Sequence, residues 1–327
     1  MTSASPSTKT AGLTASELNA LRAKYTRPTS VPHPVDNVPS ASKTLLGRTL
    51  FFDPRLSGSK FIACSSCHNP GFSFGDGLPR GIGHGMKQLG RRTPTALNLA
   101  WAPALFWDGR AETLEQQALG PIQAPGEMNL PHDQLIKRLS GIAGYRAMFK
   151  AAFGDPAITT DRVGKAIADF ERTLVSPEAP FDRFVAGDDS AISASAKSGF
   201  ALFNGKCNCV KCHTGWRFTD DGFHDIGVLS EDLGRGTLLP LESMQHAFKT
   251  PTLRNVVERA PYMHDGTEAT LEQVVDLYDH GGRVRRPSLS DEVKPLRLSA
   301  AEKHDVIEFM KTLSSPGPAV EVPALPY

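Results

Sequence analysis

Two copies of the pattern Cys-x-x-Cys-His, 145 residues apart (209 − 64 = 145), constrain this chain more than any other feature. Two thiols at this spacing can bond the two vinyl groups of one porphyrin, and the histidine that follows can ligate its iron from one face. The pattern therefore predicts two covalently attached haem c groups, each with a histidine as an axial ligand. The residues concerned are Cys64, Cys67 and His68 in the first copy, and Cys209, Cys212 and His213 in the second.

The same pattern also occurs in zinc sites and in redox-active dithiols. A zinc site needs four ligands close together, whereas each copy offers three, and a dithiol does not require the histidine. A disulfide framework is disfavoured as well, because four of the five cysteines lie in the two copies rather than in evenly distributed pairs. The pattern assigns no role to the fifth cysteine, Cys207.

A repeated segment follows each copy of the motif. The sequence TPTALN from Thr93 corresponds to TPTLRN from Thr250, and TLEQ from Thr113 corresponds to TLEQ from Thr270. Both pairs are offset by 157 residues (250 − 93 and 270 − 113). Two copies of one haem-binding unit are the simplest explanation of such a repeat.

The repeat also makes the two predicted haem sites unequal, because it aligns Pro121 with Tyr278 (278 − 121 = 157). Porphyrin and one histidine leave one iron position to fill, and tyrosine can ligate iron there whereas proline cannot. An open position can bind peroxide, while a closed one can only pass electrons. If this position faces the haem, Tyr278 closes the second site and the first stays open. The alternative is that Tyr278 is an ordinary half-buried aromatic residue of a helix.

Composition excludes some classes of function. Hydrophobic residues make up 40% of the 327 residues, and no run of about 18 apolar residues predicts a membrane span. Lys and Arg number 36 and Asp and Glu 35, a net charge of +1 that does not favour nucleic-acid binding. Residues 1–12 lack the apolar core of a signal peptide. Since covalent haem is attached outside the cytoplasm, we expect a mature periplasmic protein.

The chain resembles the bacterial di-haem cytochrome c peroxidase superfamily, which includes the MauG-type enzymes. The likeness runs from about residue 40 to residue 312 and is carried by segments such as LGRTLFFDPRLSGS, FWDGRAETLEQQALGPIQAPGEMN and APYMHDGTEATLEQVV. In this family the N-terminal haem reacts with hydrogen peroxide, and the C-terminal haem is the electron reservoir. The resemblance therefore implies a peroxidase, an oxidoreductase acting on hydrogen peroxide.

The resemblance implies roles for five residues around the first haem. Glu127 matches the distal acid–base, and Gln117 and Pro121 match its neighbours in the peroxide pocket. Trp107 matches the tryptophan that lies between the two haems. His84 matches a histidine that closes the catalytic haem of some peroxidases until the reservoir haem is reduced.

The resemblance also implies the surroundings of the second haem. Tyr278 matches the distal-ligand position, where many peroxidases have Met and MauG-type enzymes have Tyr, and His264 matches a family histidine near this haem. An anionic oxygen ligand favours highly oxidised iron over ferrous iron, so this haem would share oxidising equivalents. The family also binds one calcium ion between its domains.

We expect a mainly α fold, because helical spacing of apolar residues dominates and period-two alternation is scarce. The resemblance implies that this fold consists of two cytochrome c-like domains, each with one covalent haem c. Residues 1–40 are expected to form a tail and an extended segment, 41–180 the domain of the peroxidatic haem, and 181–327 the domain of the electron-transfer haem.

Three functions remain open at this point. The first is a MauG-like enzyme that uses peroxide to oxidise a protein or an electron-donor substrate. The second is a cytochrome c peroxidase that reduces hydrogen peroxide to water with electrons from a small c-type cytochrome or a cupredoxin. The third is a di-haem electron-transfer protein in which both irons are six-coordinate. Tyr278 favours the first of these.

Overall fold

The computed structural model describes residues 14–317 and 320–327, so the expectation about residues 1–12 lies outside the described part of the chain. Helices dominate it, which confirms the mainly α fold, and no described helix has the length and apolarity that crossing a membrane requires. The helices are α1 Ala15–Ala23, α2 Ala41–Phe51, α3 Cys64–Cys67, α4 Leu114–Gln123, α5 His132–Ser140, α6 Ala143–Phe153, α7 Thr160–Arg172, α8 Pro180–Val185, α9 Ala194–Asn204, α10 Leu271–His280 and α11 Ala300–Lys311, and the antiparallel strands are β1 Phe223–His224 and β2 Phe248–Lys249.

The chain forms two compact units. The N-terminal unit comprises residues 30–175, 263–267, 317 and 320–327. The C-terminal unit comprises residues 14–29, 176–262 and 268–316. The segment expected as a tail is thus divided between them, and α1 belongs to the C-terminal unit. The domain boundaries expected from the sequence remain a prediction.

Helices α2 and α7 cross in the core of the N-terminal unit at a glycine. A Cβ atom on Gly47 would lie 1.8 Å from the carbonyl oxygen of Ala166 and 3.0 Å from the Cβ of Phe170. Phe51, one turn further along α2, packs edge-on against the Phe170 ring with the ring centroids 5.2 Å apart. The crossing therefore depends on a position at which only hydrogen fits.

Helices α9 and α11 cross in the same way in the C-terminal unit. A Cβ atom on Gly199 would lie 1.9 Å from the carbonyl oxygen of Asp305 and 2.8 Å from the Cβ of Phe309. These two contact residues lie 139 positions beyond their counterparts in the N-terminal unit (305 − 166 and 309 − 170). The internal repeat therefore includes this crossing of two helices, although the sequence of these helices does not make this obvious.

Helices α4 and α10 begin at the two copies of Thr-Leu-Glu-Gln. The side chain of Thr113 accepts a hydrogen bond from the backbone N–H of Gln116, and that of Thr270 accepts one from Gln273. Such caps satisfy an N–H group that has no partner inside the helix. Both helices are 10 residues long, so positions 157 residues apart along them are structurally equivalent.

The close crossing predicts a strong and local effect of an added methyl group. Gly47→Ala should lower the free energy of unfolding by about 1–3 kcal/mol or more, because the new Cβ overlaps a backbone oxygen that cannot move away freely. Gly90→Ala is the matched control, since its Cβ would meet no atom within 4 Å. Calorimetric unfolding of both variants tests this, and equal unfolding temperatures would contradict the proposed crossing.

Candidate haem sites

The first Cys-x-x-Cys-His copy forms the single turn α3 and positions its histidine directly afterwards. The backbone N–H of His68 donates to the carbonyl oxygen of Cys64 over 2.8 Å. The Nδ1 atom of His68 lies 3.1 Å from the carbonyl oxygen of Phe74. Because a carbonyl only accepts, Nδ1 carries the proton and Nε2 keeps the lone pair that a metal needs.

The second copy repeats this arrangement. The backbone N–H of His213 donates to the carbonyl oxygen of Cys209 over 2.8 Å, and Nδ1 of His213 lies 2.9 Å from the carbonyl oxygen of Phe218. Both acceptor residues have left-handed backbone conformations, with φ of 57° at Phe74 and 55° at Phe218. The two loops therefore turn the same kind of carbonyl towards each ring.

The repeated Thr-Pro-Thr segment also contacts both histidines. Burial lowers the pKa of His68 and of His213, and backbone carbonyls oppose this effect. Besides the phenylalanine carbonyls, those of Pro94 and Pro251 contribute, and these two prolines are 157 residues apart (251 − 94). A neutral imidazole with one nitrogen held by the backbone is the form that ligates iron.

The thiols of the first copy fit covalent haem attachment better than a redox-active dithiol. Burial raises the pKa of Cys64, and it raises that of Cys67 to about 11. A redox-active dithiol works through its thiolate, and these shifts disfavour that form. Within the described residues, no group of three potential metal ligands includes either cysteine.

Glu127 lies in a turn after α4 that a separate segment holds in place. The backbone N–H of His84 donates to the carbonyl oxygen of Glu127 over 2.8 Å and to that of Gly126 over 3.1 Å. A Cβ atom on Gly83 would lie 1.9 Å from the Gly126 oxygen, so glycine is needed for this approach. The structure thus places His84 and Glu127, which are 43 positions apart (127 − 84), against each other.

The turn that carries Glu127 is close to the first motif. The sulfur of Cys67 lies 3.9 Å from the carbonyl oxygen of Ile82, the residue before the Gly83 contact. The Glu127 carboxylate also raises the pKa of Cys64 and of Cys67, a through-space effect that requires proximity. The predicted acid–base residue therefore lies beside the predicted haem attachment.

Burial raises the pKa of the Glu127 carboxyl, and the positive charge of Arg110 partly opposes this shift. Arg110 is held by two hydrogen bonds of 3.0 Å to Asp108, and its guanidinium lies 3.5 Å from the centre of the Phe106 ring. A raised pKa makes it easier for this carboxyl to hold a proton, as a group that accepts and then donates one must.

Helix α4 supplies the other two predicted residues of the peroxide pocket. Gln117 and Pro121 lie one helical turn apart and therefore share a face. The carbonyl of Pro121 accepts a hydrogen bond of 3.0 Å from the backbone N–H of Met128, which joins α4 to the turn that carries Glu127. The structure thus brings the three residues into one region of the N-terminal unit.

Trp107 and His264 are both buried in the N-terminal unit and are linked through one residue. The indole N–H of Trp107 donates to the carbonyl oxygen of Arg92 over 2.8 Å, and the backbone N–H of Arg92 donates to the carbonyl of His264 over 2.7 Å. These bonds fix the orientation of the indole ring. The expected position of His264 near the second haem remains a prediction.

Tyr278 occupies the position on α10 that Pro121 occupies on α4. Burial raises its pKa, and negative charge on Cys212 and Cys209 would raise it further, which places the phenol beside the second motif. Its hydroxyl has no hydrogen-bond partner among the described residues. No hydrogen bond within the described residues therefore ties the phenol oxygen down on the side of this motif.

A polar pair near the second motif was not singled out from the sequence. The Nε2 atom of His224 lies 2.8 Å from a carboxylate oxygen of Asp220, and both lie within 4.8 Å of the Cys212 sulfur. Asp220, and then Cys212, raise the pKa of His224 to about 10. A thioether at Cys212 could not also serve as a thiolate ligand, so haem attachment leaves a charged pair beside that sulfur. His224, which lies 12 residues after Cys212 (224 − 212), was the available signal.

Covalent attachment predicts different outcomes for two neighbouring cysteines. Cys209→Ala should remove one thioether bond and shift the alkaline pyridine haemochrome band, because one vinyl group then stays unsaturated. Cys207→Ala is the matched control: this buried thiol lies two residues earlier, and its carbonyl oxygen is 3.6 Å from the Cys209 sulfur. Its haemochrome spectrum and protein mass should show two fully attached haems. A band shift in the Cys207 variant instead would refute the assignment.

Comparison with known proteins agrees with this geometry. Residues 41–190 match the di-haem cytochrome c peroxidase family, and residues 196–314 match the cytochrome c family. The methylamine utilization protein MauG of Methylorubrum extorquens is 51% identical over 98% of this chain and 91% of its own length. The cytochrome c551 peroxidase of Nitrosomonas europaea is 39% identical over 88% of this chain and 84% of its own length.

A solved structure of a MauG-like protein associated with microbial copper homeostasis superposes with a TM-score of 0.81. It is 30% identical and covers 88% of this chain and 94% of its own. These similarities confirm the family, the peroxidase class and the cytochrome c-like architecture expected from the sequence. The chain belongs to the di-haem cytochrome c peroxidase family, and within it is a MauG-like enzyme with haem c as its cofactor.

Proposed function

We propose that this chain is a periplasmic MauG-like enzyme that reacts with hydrogen peroxide at the first haem and shares the oxidising equivalents with a second haem ligated by Tyr278. It then oxidises a protein or an electron-donor substrate. The observation that carries the proposal is the difference between Pro121 and Tyr278 at equivalent positions of two matched helices. Two covalent haem c groups and one calcium ion belong to the proposal.

Attachment and ligation of the first haem follow from the motif. Cys64 and Cys67 would hold the porphyrin, and His68 would ligate the iron through Nε2, because its Nδ1–H donates to the Phe74 carbonyl. The haem would supply an iron centre that peroxide can oxidise. Pro121 offers no ligand atom, so it would leave room for a substrate molecule.

Glu127 is assigned the proton transfer. Glu127 accepts a proton from the hydrogen peroxide oxygen that lies nearer the first haem. It returns this proton to the other oxygen as the O–O bond breaks, so that water leaves. Its burial suits both steps, because the raised pKa lowers the cost of holding the proton briefly. Gln117 and Pro121 form the neighbouring wall on α4 and limit how peroxide can be oriented.

Tyr278 is assigned the distal ligand of the second haem. Burial raises the pKa of Tyr278 and so favours its protonated hydroxyl, whereas a bound metal would stabilise the phenolate. An anionic oxygen ligand stabilises oxidised iron. Trp107, whose ring is held by the Arg92 carbonyl, is assigned the transfer of oxidising equivalents between the haems.

A second candidate function is that of a cytochrome c peroxidase supplied with electrons by a small c-type cytochrome or a cupredoxin. The position of His84 favours it, since its backbone N–H bonds to the Glu127 carbonyl and its buried Nδ1 has no partner among the described residues. As a ligand, His84 would close the first haem until the second was reduced. Reaction of the fully ferric enzyme with peroxide distinguishes the two candidates, because only the MauG-like enzyme reacts without pre-reduction.

The acid–base role predicts a loss of rate and of pH dependence. Glu127→Gln should slow the reaction with peroxide by about a hundredfold or more in stopped-flow experiments. In the unaltered enzyme the rate should fall as pH falls through the raised pKa of Glu127, since the carboxylate must accept the proton. This acid limb should vanish in the variant. The exposed Glu112→Gln serves as control, and full peroxide turnover by Glu127→Gln would refute the role.

Ligation by Tyr278 predicts a spectroscopic change. Tyr278→Phe should convert the second ferric haem to a high-spin form, because the sixth ligand is lost, and low-temperature EPR measures this directly. Tyr25→Phe is the matched control in the same unit, where the hydroxyl donates to Asn204 over 2.7 Å, so its loss should cost about 1 kcal/mol of stability and leave the EPR spectrum unchanged. A low-spin second haem in Tyr278→Phe would contradict the assignment.

A further inference from the structure

Glu171 on α7 is a buried carboxyl that the proposed chemistry does not use. Its residue is 5% exposed, and its Oε2 atom has no hydrogen-bond partner among the described residues. The adjacent Arg172 is engaged elsewhere, with bonds of 2.7 and 3.1 Å to the two carboxylate oxygens of Glu115. Burying an uncompensated carboxylate is costly, so such a group is retained only where it does something or stays neutral.

The internal repeat shows that the fold does not require an acid at this position. Glu171 corresponds to Met310 on α11 (310 − 171 = 139), with the same offset as the residues that contact the two crossing glycines. Met310 is also 5% exposed and lies in the hydrophobic core that Cys209 packs against. The C-terminal unit thus fills this position with an apolar side chain, and only the unit of the peroxide site has an acid there.

The Glu171 carboxyl faces the first motif rather than the surface. A negative charge on Glu171 raises the pKa of Cys64 more than a negative charge on Glu127 does. Phe170, the preceding residue on α7, and Leu174, two residues beyond the end of α7, belong to the core that Cys64 packs against. The carboxyl is therefore close to the sulfur that would bond the first haem.

The acid–base properties of Glu171 follow from its neighbours. Burial raises its pKa to about 8, Arg172 lowers it, and Glu115 on α4 raises it. A charged Cys64 thiolate would also face the Glu171 carboxyl. This charge disappears when the Cys64 sulfur becomes a thioether. At neutral pH the carboxyl is therefore mainly protonated.

The remaining helices packed on α7 bring no compensating charge. On α2, Lys43 donates to the Asn37 side chain over 2.8 Å, and Arg48 bonds to the carbonyl of Glu321. The short turn Leu99–Trp101, which also packs on α7, has no ionisable side chain. A change of charge at the first haem would therefore shift the protonation of the Glu171 carboxyl with little compensation from other groups.

We propose that Glu171 is a positioning residue of the first haem site that holds one proton while the haem iron is ferrous and releases it when the iron becomes ferric. The inference rests on the proposed function in taking Cys64 as the attachment of the reactive haem. Oxidation from the ferrous to the ferric state would send one electron to an external one-electron acceptor, such as the mediator in a redox titration, and would leave one more positive charge in the site. The carboxyl then ionises, its proton goes to solvent, and the net charge of the buried site is unchanged. Charge compensation of this kind stabilises the oxidised site in an interior of low dielectric constant.

The test is the pH dependence of the reduction potential of the first haem, measured by optical redox titration of the haem-loaded protein between about pH 6 and pH 10. Glu127→Gln is used as the background so that Glu127 cannot contribute. In this background the potential should fall with rising pH, with the slope of one proton per electron. Adding Glu171→Gln should remove the slope, and so should Glu171→Met, which copies Met310. The second haem is the internal control, and its potential should be the same in all three proteins.

Two results would overturn the proposal. One is an unchanged slope in both double variants. The other is a slope that glutamine retains and methionine removes, because glutamine cannot ionise and the role would then be hydrogen bonding or packing. Oxidised-minus-reduced infrared spectra give an independent readout: a protonated carboxyl band should disappear on oxidation and be absent from Glu171→Gln. These measurements need attached haem but no turnover, so a protein that shows the coupling without reacting with peroxide would refute only the proposed function.

Discussion

The hydrogen bond from each motif histidine to a backbone carbonyl is the interaction on which the proposed chemistry depends. His68 is held by the Phe74 carbonyl and His213 by the Phe218 carbonyl, at 3.1 and 2.9 Å. Each bond selects one tautomer and leaves Nε2 free, and burial keeps the ring neutral. The glycine crossing of two helices and the Thr-Pro-Thr segment build the same support in both units, so the enzyme uses one ligand geometry twice.

Function in a duplicated scaffold depends on where the copies differ. On the matched helices α4 and α10, Pro121 leaves a position without a ligand while Tyr278 brings a phenol to the second motif. On the matched helices α7 and α11, Glu171 replaces the apolar Met310. We propose that the first difference leaves an approach to iron in the N-terminal unit and that the second adds an ionisable group there. In the C-terminal unit the equivalent positions hold Tyr278, the proposed iron ligand, and the apolar Met310.

The candidate site could be predicted from the sequence where it depends on short-range patterns. The spacing of Cys64, Cys67 and His68 carries its chemistry locally, and the 157-residue offset aligns Pro121 with Tyr278 without any structure. Glu127 needed the resemblance to a family, because a lone carboxylate in a turn has no local signature. Glu171 and the pair of Asp220 and His224 were missed, since their significance comes from burial or from neighbours that spacing does not reveal.

By itself the sequence determined that the chain has two copies of the haem-attachment motif and that the fold is mainly helical, and it predicts that the two irons differ in their sixth ligand. Covalent attachment and helix capping act within a few residues, so their patterns survive in the linear chain. Only the tertiary structure decided which carbonyl holds each histidine, that segment 82–84 supports Glu127, and that Glu171 is buried without a partner. Burial and through-space charge arise when distant segments pack, and they therefore have no signature in residue spacing.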